Sequence, residues 1–214
     1  MARPKLHDDQ LRQRLLDAAT DLVATKGDTF ALRPLAESLD TSTTAIYSLF
    51  GSRHALLEAV AENVATSFAA AIRDVHHDDP LLWIVGLATA YRRWGRASQA
   101  RFAIMTGTAI DTEELRAARD KSKEPLAAAV AAAIEQGYLE GPIVLTATTL
   151  FAGVHGFVTL EFAGDYGGDK GFYQVVDRLL LSSATPRGRE RVAAVPARDA
   201  SQHVEEPTSL TGLL

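Results

Sequence analysis

Cysteine is absent from all 214 residues. That removes disulfide frameworks, thiolate metal sites and cysteine nucleophiles at once, and it suits a reducing cytoplasm. An excess of positive charge is missing too: 22 Lys and Arg stand against 27 Asp and Glu, giving a net charge of −5. A protein that coats nucleic acid regardless of sequence would be basic. From Met1 to Arg53 the two signs nearly balance, so the deficit falls on the remainder. An anionic bulk with one balanced end suits a molecule that touches an anionic partner through a small face. No apolar core follows Met1, so no secretory signal is expected. Ligand spacing for a metal is lacking as well. His76-His77-Asp78-Asp79 are sequence neighbours, which point apart on a helix, and a charged turn is expected there. His155, Glu161 and Asp165 are the scattered candidates for acid-base work, with no spacing that ties them together. The expectation is therefore no enzyme, no catalytic residues, no metal and no cofactor.

What is present is concentrated between Leu32 and Leu57, LRPLAESLDTSTTAIYSLFGSRHALL. Leu35, Ala36 and Leu39 recur at helical spacing, as do Ile46, Leu49 and Phe50, and elements this short must lean on neighbours. Between them Asp40 is a residue type that tolerates a left-handed turn, and Ser42 can cap the helix that follows. Two short helices around a tight turn make a helix-turn-helix. With Ser42 as the cap, Thr43, Thr44, Tyr47 and Ser48 fall opposite the apolar stripe, on a slender helix that fits a major groove. Their hydroxyls, and the phenol of Tyr47, suit phosphates, while a threonine methyl can meet a thymine methyl. Arg53, at the head of the next helix, adds charge where the helix dipole already favours an anion.

This run resembles the DNA-binding signature of the TetR family of bacterial transcription regulators, through Leu35-Ala36, Ser42, Ile46-Tyr47, Phe50, Arg53 and Leu56-Leu57. It departs from that signature at Asp40 in place of glycine, Thr41 in place of an apolar residue, Leu49 in place of histidine, and Arg53 in place of lysine. The resemblance implies a double-stranded DNA operator as partner, read by Arg33, Ser42, Thr43, Thr44, Tyr47, Ser48 and Arg53. His155-Gly156 also resembles the His-Gly pair in the C-terminal domain of one subset of the family.

Elsewhere the chain reads as helices. Ala2 to His7 is a short basic arm, either a reach toward phosphate or the minor groove or a solvated tail. From Asp8, Leu11, Leu15, Ala18, Ala19, Leu22 and Val23 mark a helix stopped at Lys26-Gly27. A long helix from Ser52 carries Leu56, Val60, Val64, Phe68, Ile72 and Val75. Asp79-Pro80 opens another, with Trp83, Leu87, Tyr91 and Trp94 on one side. A shorter helix with Phe102, Ile104 and Met105 follows, then one from Asp111 to Gly137 that Pro125 kinks. Leu87, Tyr91, Trp94, Phe102, Met105, Phe151 and His155 are the candidate ligand-binding residues, an apolar wall with a few polar tips. His155 reads more simply as a neutral, hydrogen-bonded core residue.

The most apolar stretch, Ile143 to Ala163, has the length of a bilayer span, but Glu161 lies inside it and its flanks lack basic residues. A helix apolar all round is buried on every side, so a second subunit is expected over one face. Leu150, Val154, Phe157, Val158 and Phe162 here, with Phe172, Val176, Leu179 and Leu180 on the last helix, are the expected dimer interface of a four-helix bundle. From 184 onward composition mixes without period and a disordered tail is expected.

The whole is expected to be all-α, about nine helices: a three-helix helix-turn-helix DNA-binding domain over 8–65, a ligand-binding and dimerisation domain over 66–183, and the tail over 184–214. The function expected is that of a cytoplasmic, homodimeric, TetR-like transcriptional regulator with no membrane partner, a repressor released from a palindromic operator by a small apolar effector. The alternative is a helical ligand-binding or partner-binding protein that has lost DNA reading.

Overall fold

The computed structural model describes residues 5–194. They form eleven α-helices: α1 (Lys5–Lys26), α2 (Leu32–Glu37), α3 (Thr43–Phe50), α4 (Arg53–Ile72), α5 (Pro80–Ala97), α6 (Gln99–Thr106), α7 (Glu113–Lys121), α8 (Glu124–Glu135), α9 (Ile143–Ala163), α10 (Asp169–Leu181) and α11 (Pro186–Ala194). A single 3-10 turn, Gly27–Thr29, follows α1. Among the described residues there is no strand, only an isolated antiparallel bridge between Leu139 and Ala184. The expected all-α class therefore holds.

Among the described residues two compact units result, 5–74 with 93–123, and 75–92 with 124–194. In the first, α1 contributes Leu15, Leu16, Ala19 and Val23 to the core, α2 Leu35 and Ala36, α3 Ile46 and Phe50, and α4 Leu56, Val60, Val64 and Phe68. Apart from Leu16 these are positions the helical period marked, and together they give the two short helices the support that neither has alone. α6 lies against α1 and α7 against α4. Arg119 of α7 donates to the carbonyls of Ile104, Met105 and Gly107, placing a cation on the unpaired carbonyl end of α6.

In the second unit α9 is flanked by α8 and α10. Ala129 and Ala133 of α8 are fully buried, so the alanine run serves close helix packing. Pro125 stands in the first turn of α8, where a missing N–H does no harm. One kinked helix was expected from Asp111 to Gly137; the structure has two, broken at Ser122-Lys123. Asp79 caps α5 as expected, its Oδ1 accepting from the N–H groups of Leu81 and Leu82.

Both ends of the chain differ from expectation. Lys5, Leu6 and His7, read as part of an arm, already belong to α1, and residues 2–4 lie outside the described range. Within the stretch read as a disordered tail, α11 forms and docks. Thr185 Oγ1 donates to the Gly137 carbonyl at 2.7 Å and accepts from the Gly188 N–H at 3.0 Å. Gly188 presses against the Tyr138 carbonyl so closely that no Cβ could fit, and Arg191 pairs with Asp79. A weak apolar period hid a helix held largely by polar anchors. The remainder of the expected tail, 195–214, lies outside the described residues.

Candidate functional site

The turn between α2 and α3 closes through the Thr41 N–H on the Ala36 carbonyl at 3.0 Å. It needs one left-handed residue, and Asp40 supplies it at φ 51°. Ser42 then caps α3, its hydroxyl oxygen accepting from the Ala45 N–H at 3.2 Å. Ile46 and Phe50 fix the buried side of α3. On the opposite side Thr44, Tyr47 and Ser48 are exposed, Tyr47 at 51%, while Thr43 is half-buried. From Thr41 to Ser52 no side chain carries a charge. The result is a rigid ridge of hydroxyls, a methyl and a phenol, presented on a helix short and narrow enough for a major groove.

Cations lie around this ridge rather than on it. Arg33 is exposed on α2 and pairs with Glu37 at 2.8 Å, both ends facing solvent. Such a pair is worth under about 1 kcal/mol and exchanges readily for phosphate. Arg53, expected at a phosphate, is turned inward. Its Nη1 donates to the Phe30 carbonyl at 3.1 Å, and its guanidinium lies 4.9 Å from the Phe30 ring centroid. It ties α4 to the segment before α2, and of the two expected arginines it is the one held by a distant part of the chain. Arg12 was missed by the sequence reading. This exposed α1 residue lies 5.0 Å over the ring of Phe50, which ends α3. The face of an aromatic ring orients a guanidinium, so Arg12 stands beside α3. Nothing in the spacing of two residues so far apart in sequence could have linked them.

The expected ligand wall divides between the units. Trp94, Phe102 and Met105 are buried in the first. Trp94 packs 4.8 Å from Phe68 and donates its indole N–H to Ser67 at 3.0 Å, which is ordinary core. Leu87, Tyr91, Phe151 and His155 belong to the second unit. There the Tyr91 hydroxyl and His155 Nδ1 are 2.9 Å apart, Phe151 stacks on the His155 ring at 5.7 Å, and Tyr91 meets Phe151 edge-on. Burial raises the Tyr91 pKa and lowers that of His155, so both are neutral near pH 7. Tyr91 and Leu87 are buried, but Phe151 is 47% exposed, so this polar-tipped aromatic cluster has one open side. An open cleft of about 630 Å³ in the first unit, lined by Asp21, Ala24, Thr25, Ala97 and Ser98 among others, includes none of the expected wall residues. No group of three or more His, Asp or Glu among the described residues could hold a metal.

The expected dimer residues need correcting. Leu150, Val154, Phe157, Val158, Phe172, Val176 and Leu180 are all buried inside their own chain, at 6% exposure or less. Phe162 and Leu179 are half-buried, and Leu179 fills the space that a Cβ on Gly153 would take. The uncovered apolar face of α9 is a different one: Ile143, Val144, Leu145 and Phe151, with Val144 exposed at 77%. Thr148, Ala152 and Thr159 continue it at helical spacing. A helix apolar on every side offers no period to say which face points inward, and most of the residues expected at a dimer face are ones that its own chain covers.

A second feature that the sequence reading missed is an ion triad, enclosed at Arg92 and Glu161 and exposed at Asp169. Arg92 of α5 forks onto Glu161 of α9 at 2.9 and 2.6 Å and reaches Asp169 of α10 at 2.6 Å. Its guanidinium also lies over the rings of Phe172 and Phe157. Burial alone would lower the Arg92 pKa, but the hydrogen bonds and charges of Glu161 and Asp169 raise it. A lone carboxylate inside so apolar a helix was the available signal, since a buried charge needs a partner. It also removes Glu161 from the list of loose acid-base candidates.

A family profile described as the tetracyclin repressor-like C-terminal domain matches residues 84–182. No curated protein matches the chain by sequence. Among solved structures, a TetR family transcriptional regulator from Agrobacterium tumefaciens is 18% identical, with 83% of this chain and 100% of that one covered, at a TM-score of 0.66. A TetR family transcription regulator from Marinobacter aquaeolei VT8 is 20% identical over 84% of this chain and 98% of that one, with a TM-score of 0.66. The superantigen PfiT, 20% identical over 82% of this chain and 96% of its own, also reaches 0.66. The chain thus has the fold of these TetR family regulators.

Proposed function

We propose that this chain is a cytoplasmic transcription regulator of the TetR type. It binds a near-palindromic DNA operator as a homodimer and is released from it by a small, largely apolar effector. The observation that carries the reading is the exposed, uncharged ridge Thr44-Tyr47-Ser48 on a helix capped by Ser42 and pinned by Ile46 and Phe50. A ridge of this kind has no use in a core, and the surrounding Arg12 and Arg33 supply phosphate contacts that position it. Residues 8–65 hold the DNA-binding elements, 66–183 the regulatory and dimerisation ones. The open-sided cluster of Tyr91, Phe151 and His155 is suited to an apolar ligand with one hydrogen-bonding group.

The dimer face of this reading is the one α9 leaves open, Val144, Leu145 and Phe151. A two-fold pair sets two reading helices about one or more helical turns of DNA apart, hence the palindrome. Effector acts by binding better to a conformation whose heads no longer match successive grooves. Footprinting on DNA around the chain's own gene tests this. Protection of a palindrome at moderate salt, lost on Tyr47→Ala by on the order of tenfold or more while the dimer persists, is expected. Absence of any protected site counts against the whole reading.

A second reading is a helical binding protein that no longer reads DNA. Arg53, held by Phe30 instead of facing out, and the superantigen that shares the fold favour it. Salt separates the two, because DNA binding through phosphates weakens steeply as salt rises.

A further inference from the structure

Resting on that reading, we infer that Thr44 is the residue that sets base preference, and that the operator presents a thymine methyl to it in each half-site. Specific contacts in the major groove are of few kinds: a forked Arg or Lys on guanine, a forked Asn or Gln on adenine, an acid on cytosine, a single hydroxyl bond to any of them, or an apolar touch on the thymine methyl. Between Thr41 and Ser52 the chain holds no Arg, Lys, Asn, Gln, Asp or Glu. Every forked contact is therefore unavailable from the reading helix itself. Hydroxyl bonds remain, but a hydroxyl both donates and accepts, so it discriminates poorly between bases.

What is left to discriminate is hydrocarbon, and its position is restricted. Thr43 is half-buried and Ala45 likewise, while Ile46 and Leu49 face inward. Thr44 is exposed in the first turn of α3, the end of a reading helix that meets base edges. Ser48 lies one turn on without a methyl, and the longer Tyr47 reaches past the base edges toward the backbone. The Thr44 methyl is thus the one branched aliphatic group that the exposed ridge presents.

Half-sites are selected from a randomised duplex pool with the full-length chain at moderate salt, and the selected thymines are then replaced by uracil, which differs only by the methyl. Selection of a T·A pair at symmetric positions is expected. Uracil there should weaken binding about fourfold per half-site, the effect of leaving one methyl unburied, and more than tenfold when both are replaced. In Thr44→Ser, whose melting temperature should match the wild type, thymine and uracil should bind alike. Selection of G·C at those positions, equal binding of uracil by the wild type, or an undiminished thymine preference in Thr44→Ser would each overturn the assignment. Failure of the wild type to select any palindrome would instead remove the proposed function beneath it.

Discussion

Two helices of this chain carry almost no charge, and they do opposite things with that shortage. α3 has none, yet it turns hydroxyls and a phenol outward. α9 has Glu161 alone among its charges, and it leaves Val144, Leu145 and Phe151 uncovered while using the carboxylate inside. A neutral surface of hydroxyls loses little in water and keeps its hydrogen-bonding capacity for a polar partner. A neutral surface of hydrocarbon gains by being covered. The same absence of charge therefore marks two different kinds of contact, and the residue chemistry at the exposed positions tells them apart.

The sharpest way to break the α9 side of this comparison is Arg92→Ala. It strands Glu161 in an apolar setting, and removing one member of a buried ion pair destabilises by about 3–5 kcal/mol. Urea denaturation should show that loss, whereas Arg101→Ala, which removes a largely solvent-facing pair with Asp17, should lose under about 1 kcal/mol. Next in size is the uncovered face. Leu145→Glu with Phe151→Glu should convert a dimer to monomers in sedimentation velocity, since each buried large apolar side chain contributes about 1.5–3 kcal/mol. Leu150→Ala should instead cost stability of the single chain, because that side chain is already covered.

On the α3 side, Arg12→Ala should reduce the slope of log affinity against log salt by about 0.9, the loss of one phosphate contact, with Arg12→Lys keeping it. Arg53→Ala should lower stability more than it alters that slope. The smallest effect expected is at His155. Burial lowers its pKa from the ordinary 6.5, so the unfolded chain takes up that proton at a higher pH than the folded one. The stabilisation this provides is complete above about pH 6.5 and is lost as the pH falls through the lower folded value. His155→Gln should therefore show a shallower fall in melting temperature than wild type as the pH drops below about 6.5.

Much of the fold was legible because strict helical period, caps and stops coincide. Leu15, Ala19 and Val23, the Ser42 cap, Asp40 in its left-handed turn and the Asp79-Pro80 start all stand where local chemistry put them. Period failed in two circumstances. In α9 it failed because apolar residues surround the helix, so the buried face is chosen by what α8 and α10 present. In α11 it failed because the anchors are Thr185, Gly188 and Arg191, which are polar or small and whose partners are distant in sequence. The exposed ridge of α3 was visible from spacing alone, whereas Arg12 beside Phe50 was not.

The order of residues alone determined a helical chain, a helix-turn-helix with a charge-free outer face, and the absence of any thiol chemistry. Those follow from interactions within a few residues, or from composition. Only the tertiary structure decided that Arg53 turns inward, that Glu161 answers Arg92, and which side of α9 is left bare. Each of those depends on which surfaces meet across long stretches of chain, and burial, unlike helix formation, is a property of neighbours that sequence spacing does not name.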